Sequence, residues 1–102
     1  MESLRFLSPK EIDDIRIEFG TPVFVYDEAT LRENARTLKA FPNAFGLKPR
    51  YAMKAAPTAA IIRIFNQEGL EIDASSGHEL ERAIRVGFGT ESISLSTQQM
   101  PE

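Results

Sequence analysis

The stretch RYAMKAAP, Arg50 to Pro57, sets a lysine, Lys54, at the end of a short apolar run, and EIDASSGHE sets Asp73 at the end of another. An amine in a partly desolvated mouth can react in its neutral form with a carbonyl compound to give a Schiff base. A carboxylate close by would hold the cationic state in place. Ala52, Ala55 and Ala56 leave room for a flat ring beside such an amine, and Pro57 directs the chain into the next helix. Each feature alone has a plainer reading. A strand-end lysine is usually solvated, Asp73 serves as a turn former, and Ser76 with Glu79 caps a helix. The pairing of the two stretches is what points to amine chemistry.

Other chemistries are poorly supplied. The chain has no cysteine and one histidine, His78, so disulfides, thiolate metal sites and histidine clusters are excluded, and only a carboxylate metal site stays formally open. His78 falls in the first turn of a helix and reads as a surface residue. Twelve Lys and Arg are interleaved with fifteen Asp and Glu for a net charge of −3, which gives no basic footprint for nucleic acid. The opening MESLRFLSPKE has an acid at position 2 and no long apolar core, and no segment approaches the roughly 18 apolar residues of a membrane span. The expected location is the cytoplasm. A content of 42% hydrophobic and 26% charged residues is that of a folded, soluble domain.

Four helices can be placed by their punctuation. SPKEIDDIRIEFG offers Ser8 as cap, Pro9 at the first helical position and Glu11 to complete a capping box, with Ile12, Ile15 and Phe19 on one face and Gly20 as the stop. DEATLRENARTLKAF starts from Asp27, lines up Leu31, Ala35 and Leu38, pairs Glu28 with Arg32, and closes at Pro42. A third helix from about Thr58 buries Ile61, Ile62 and Phe65 and stops at Gly69. A fourth begins with Ser76 and Glu79 spaced as a capping box, carries Leu80, Ala83 and Ile84 inward and ends at Gly87. Between them lie β-type runs at 22–26, 50–54, 70–73 and 93–96. The units recur at near-constant spacing, 21 residues from Tyr51 to Ile72 and 23 from Ile72 to Leu95, as in a parallel sheet joined by crossover helices. Periodicity leaves open a doubly wound sheet or a closed barrel. In both, ligands bind at the carboxyl ends of the strands, where Lys54 and Asp73 fall. A closed barrel takes about 250 residues, so a chain stopping at STQQMPE, just past a strand, reads as cut off; the one internal boundary in view is near Asp27.

GTPVFVYDEATLRENA, YAMKAAP and EIDASSGHELERAIRVGF, from Gly20 to about Thr97 in order and spacing, resemble the amino-terminal part of the pyridoxal-phosphate-dependent decarboxylases with an alanine-racemase-type barrel. This group contains the diaminopimelate and ornithine decarboxylases. The resemblance implies a partial parallel (β/α)8 TIM-like barrel, truncated after about three βα units. It assigns residues 27–102 to the first part of the cofactor-binding barrel and 1–26 to a helix and strand that associate with a second β-domain. Lys54 matches the lysine that bonds the cofactor as a Schiff base, Ala52 a small residue lining the cofactor pocket, and Asp73 an acid near that lysine and the ring. Glu79 matches a mainly structural glutamate of an S-x-x-E segment. Ala56 stands where many members have asparagine, ASSGHE replaces the commoner VVSGGE, and SLSTQQ replaces the usual third-strand sequence.

The activity so implied is decarboxylation of an amino acid by a homodimer. Diaminopimelate is the favoured substrate, and lysine biosynthesis the setting, because TPVFVYDEATLRENA is closest to that branch. The pyridinium ring of the cofactor serves as electron sink, and Lys54, once displaced by the substrate amine, can shuttle a proton. The phosphate loop, the acid facing the ring nitrogen and the partner subunit's substrate residues belong to later segments of the family, so the 102 residues alone are expected to be inactive. The alternatives are another barrel-type enzyme of the group, such as an ornithine- or arginine-type decarboxylase or a racemase, and a non-catalytic truncated or cofactor-carrying module.

Overall fold

The structure is a computed structural model that describes residues 6–98. Its order is α1 (Pro9–Phe19), α2 (Glu28–Lys39), β1 (Arg50–Ala52), a 3-10 turn (Met53–Ala55), α3 (Ala59–Gln67), β2 (Glu71–Ala74), α4 (Gly77–Val86), a second 3-10 turn (Thr90–Ser92) and β3 (Ile93–Leu95). The strands form one parallel sheet in the order β1-β2-β3. Tyr51, Ile72 and Ile93 lie side by side, so the repeat in register is 21 residues in both steps; Leu95, taken as the third marker in the sequence, lies one pleat further on.

The sheet has two unlike faces because side chains alternate along each strand. Tyr51, Ile72, Ala74, Ile93 and Leu95 pack with Met53, Ile62, Ala83 and Phe88 into one apolar cluster, so the crossover helices α3 and α4 both cover the same face. A second cluster joins Ala35, Leu31 and Leu38 of α2 to Ile61 and Phe65 of α3 and to Leu70. The opposite sheet face carries Arg50 and Ala52, Glu71 and Asp73, then Ser94.

Helix punctuation follows the side chains. Ser8 Oγ accepts from the Glu11 amide at 3.2 Å while Glu11 accepts from the Ser8 amide at 2.7 Å, closing the first capping box. Asp27 accepts from the Thr30 amide at 3.2 Å, and Ser76 from the Glu79 amide at 3.2 Å. The Glu79 carboxylate reaches back to the amide of Ser75 at 2.6 Å and not to that of Ser76, so the second box is displaced by one residue. Gly87 ends α4 at φ 114°, in the left-handed region.

Five expectations need correction. Residues 22–26 form no strand: the run is extended, but no described strand lies beside it, and Val23, Phe24 and Tyr26 stay exposed. The strand expected over 50–54 ends at Ala52, where the chain tightens into the 3-10 turn that carries Lys54. Ile84 is 48% exposed. With Ala83 central to the buried stripe of α4, Leu80 and Val86 each sit about 60° away and Ile84 about 100° away at 3.6 residues per turn, which takes it off the sheet. The stripe of Ile12, Ile15 and Phe19 exists on α1, yet none of its residues is buried. α2 also stops at Lys39, ahead of Pro42.

Candidate functional site at the carboxyl end of the sheet

The parallel register brings the sequence-predicted residues together. Ala52 is the direct neighbour of Asp73, and Asp73 of Ser94, so the three lie in one row on the face opposite the helices, near the carboxyl ends of the strands. Lys54 follows β1 by two residues and is exposed. The partly desolvated mouth expected around it is therefore absent among the described residues, since the covered face of the sheet is the other one. Lys54 still acts on Asp73 through space, as a favourable opposite charge.

The turn bearing Lys54 is anchored on both sides. Met53 is fully buried in the core. Tyr51 donates its hydroxyl to the Ala56 carbonyl at 3.0 Å, and its ring lies 4.5 Å from that of Phe65, centroid to centroid. Burial pushes the Tyr51 phenol above its ordinary value, which keeps it a donor at neutral pH. Arg82, on α4, donates to the Pro57 carbonyl at 3.0 Å. These contacts fix a backbone on which a flexible lysine side chain projects.

Asp73 is held in its ionised form. Ser94 Oγ donates to Asp73 Oδ1 at 2.6 Å and Ser96 Oγ to the same oxygen at 2.8 Å. The Ser94 bond contributes most to lowering the carboxyl below the usual carboxylate range; burial works against it, and Ser96, Arg50 and Lys54 add to it. Neither serine stood out in the sequence as a functional residue, because SLSTQQ carries no chemical signature and the contact exists only through strand pairing. Arg50 is taken up by Glu71 on the same face, Nε to Oε2 at 2.8 Å. Glu79 caps α4, as expected of a structural residue, and His78 is exposed beside Glu81, Arg82 and Arg85, away from the row.

Residues 30–101 match the family described as pyridoxal-dependent decarboxylase, pyridoxal binding domain. The chain belongs to this family. It is 42% identical over 78 residues to the diaminopimelate decarboxylase of Bacillus subtilis strain 168, covering 74% of the chain and 18% of that protein. It is 41% identical over 86 residues to the diaminopimelate decarboxylase of Bacillus methanolicus, covering 80% and 20%. With the diaminopimelate decarboxylase of Mycobacterium leprae the identity is 38% over 91 residues, covering 87% and 19%. The chain thus spans about a fifth of the length of the curated relatives it matches. Pyridoxal phosphate is the cofactor of this family, and the row at the sheet end fits it in chemical kind. Lys54 is an accessible primary amine of the type that bonds an aldehyde, Asp73 is an anion of the type that holds a cationic group, and Ala52 is a small residue in register with Asp73.

Proposed function

We propose that the chain is the amino-terminal part of a pyridoxal-phosphate-dependent diaminopimelate decarboxylase in which Lys54 bonds the cofactor, with Ala52 and Asp73 lining its seat. One observation carries the reading. Of the four lysines, Lys10 pairs with Asp14, Lys39 donates to the Glu68 carbonyl and Lys48 faces Glu71, whereas Lys54 stands at the carboxyl end of a parallel strand and makes no salt bridge or hydrogen bond among the described residues. The three relatives compared above carry the name diaminopimelate decarboxylase, which supports that substrate over others of the group.

The sheet order β1-β2-β3 and the helices gathered on one face support the first part of a (β/α)8 barrel over a doubly wound sheet, whose helices cover both faces. The barrel portion is residues 27–102, and 1–26 pack against a second β-domain of a cytoplasmic homodimer. Pyridoxal phosphate, when bound, supplies the electron sink for the pair left on carbon as carbon dioxide departs. Lys54 would hold the cofactor through its Nζ, and the same atom could give or take a proton. Asp73 keeps a fixed negative charge beside that amine. Ala52, two residues before Lys54, keeps the approach open.

The test is carbon dioxide release by the full-length protein from diaminopimelate and, in parallel, from ornithine and arginine. Turnover of diaminopimelate that disappears in Lys54→Ala is the expected result; preference for ornithine or arginine would refute the substrate, and full activity of Lys54→Ala would refute the site.

A further inference from the structure

We infer that Ser94 and Ser96 are positioning residues, which commit Oδ1 of Asp73 and so assign its Oδ2 to the cationic partner at the sheet end, Lys54. The inference rests on the reading of Lys54 and Asp73 as the cofactor site and adds two residues to it. Ser94 is the direct register neighbour of Asp73, and Ser96, two residues on, projects from the same face. The Ser96 amide donates to the Ala74 carbonyl at 2.8 Å, so β3 continues beside β2 to the level of the site and both hydroxyls have a fixed origin. They converge on one oxygen, at 2.6 and 2.8 Å. A carboxylate oxygen has two lone pairs, and both are then used. Hydrogen bonds to an ionised acceptor are the stronger kind, and two from one strand hold the carboxylate plane against rotation.

The other charged groups on this face sharpen the assignment. Glu71, two residues before Asp73, takes the guanidinium of Arg50 at 2.8 Å, which keeps that cation at the lower level of the sheet. Lys48 also faces Glu71, at 3.9 Å. The charge of Arg50 also reaches Asp73 through space, but its guanidinium is bonded to Glu71, so Lys54 is the cation beyond the strand end without such a bond among the described residues. With the serines removed, the carboxylate would rotate freely and be protonated more easily, and Lys54 would lose an oriented anion.

The test uses the full-length protein without cofactor, following the Asp73 carboxyl by carbon-13 NMR against pH, with its resonance identified by its loss in Asp73→Asn. Ser94→Ala and Ser96→Ala are each expected to move the titration upward and the double variant further, while Ser94→Thr, which keeps the hydroxyl, stays near the parent. A second arm measures binding of pyridoxal phosphate, whose Kd is expected to rise roughly tenfold in the double variant, or about 1.4 kcal/mol. Should the double variant fail to fold, Ser96→Ala alone, at the more exposed serine, carries the same two readouts. A titration unmoved by loss of the serines overturns the clamp even if Lys54→Ala abolishes covalent attachment. A titration that moves while Lys54→Ala leaves pyridoxal phosphate binding unchanged overturns the pairing with Lys54, and the cofactor site with it.

Discussion

Asp73 shows how one carboxylate can be set for a task by neighbours contributed from another strand. Its folded-state carboxyl titrates below the ordinary value, chiefly through Ser94, so its contribution to stability is present above the unfolded value, near 3.9, and is lost as pH falls through the lower, folded one. Denaturant midpoints of the parent and of Asp73→Asn in the full-length protein should therefore differ at neutral pH and converge in acid, below the ordinary carboxylate range. A constant difference across that range would mean that the ionised form is not what the serines hold. At the same scale, Asp73→Ala should keep the fold yet lower kcat/KM or cofactor retention by roughly tenfold, about 1.4 kcal/mol, because the amine loses its anionic partner. Unchanged kinetics would reduce Asp73 to a strand residue.

At the scale of elements, the ends of the helices carry much of the specification. Ser76→Ala should cost about 1 kcal/mol in urea unfolding of the full-length protein, since the Glu79 amide loses its acceptor. Gly87→Ala should cost about 1 to 2 kcal/mol, because φ 114° is poorly open to a residue with Cβ. Caps and stopping glycines of this sort were legible in the sequence, as were the parallel alternation and the placing of Lys54 and Asp73 at neighbouring strand ends. What was not legible depended on partners. The run at 22–26 has the composition of a strand, but pairing needs a neighbour and none is described. The end of β1 at Ala52 depends on the turn that Tyr51 and Arg82 tie down from elsewhere in the fold. The serine contacts to Asp73 arise only once β2 and β3 are in register.

At the scale of the molecule, the chain leaves much apolar surface uncovered. Phe24 is 90% and Phe45 103% exposed, β1 and β3 each have an open parallel edge among the described residues, and the Cα radius of gyration is 16.5 Å where about 13 Å suits a compact domain of this length. Parallel sheets are normally covered on both faces, and among the described residues this one is covered on one. The 102-residue segment expressed alone should therefore associate or aggregate in light scattering and melt without a cooperative transition; a monodisperse monomer with a sharp melt would contradict this. The full-length protein shows by labelling whether the cofactor is bonded at Lys54. It is incubated with pyridoxal phosphate, reduced with borohydride, digested and mapped by mass spectrometry. The reduced pyridoxyl group is expected on the peptide containing Lys54, and a group carried on Lys10, Lys39 or Lys48 in its place would refute the assignment.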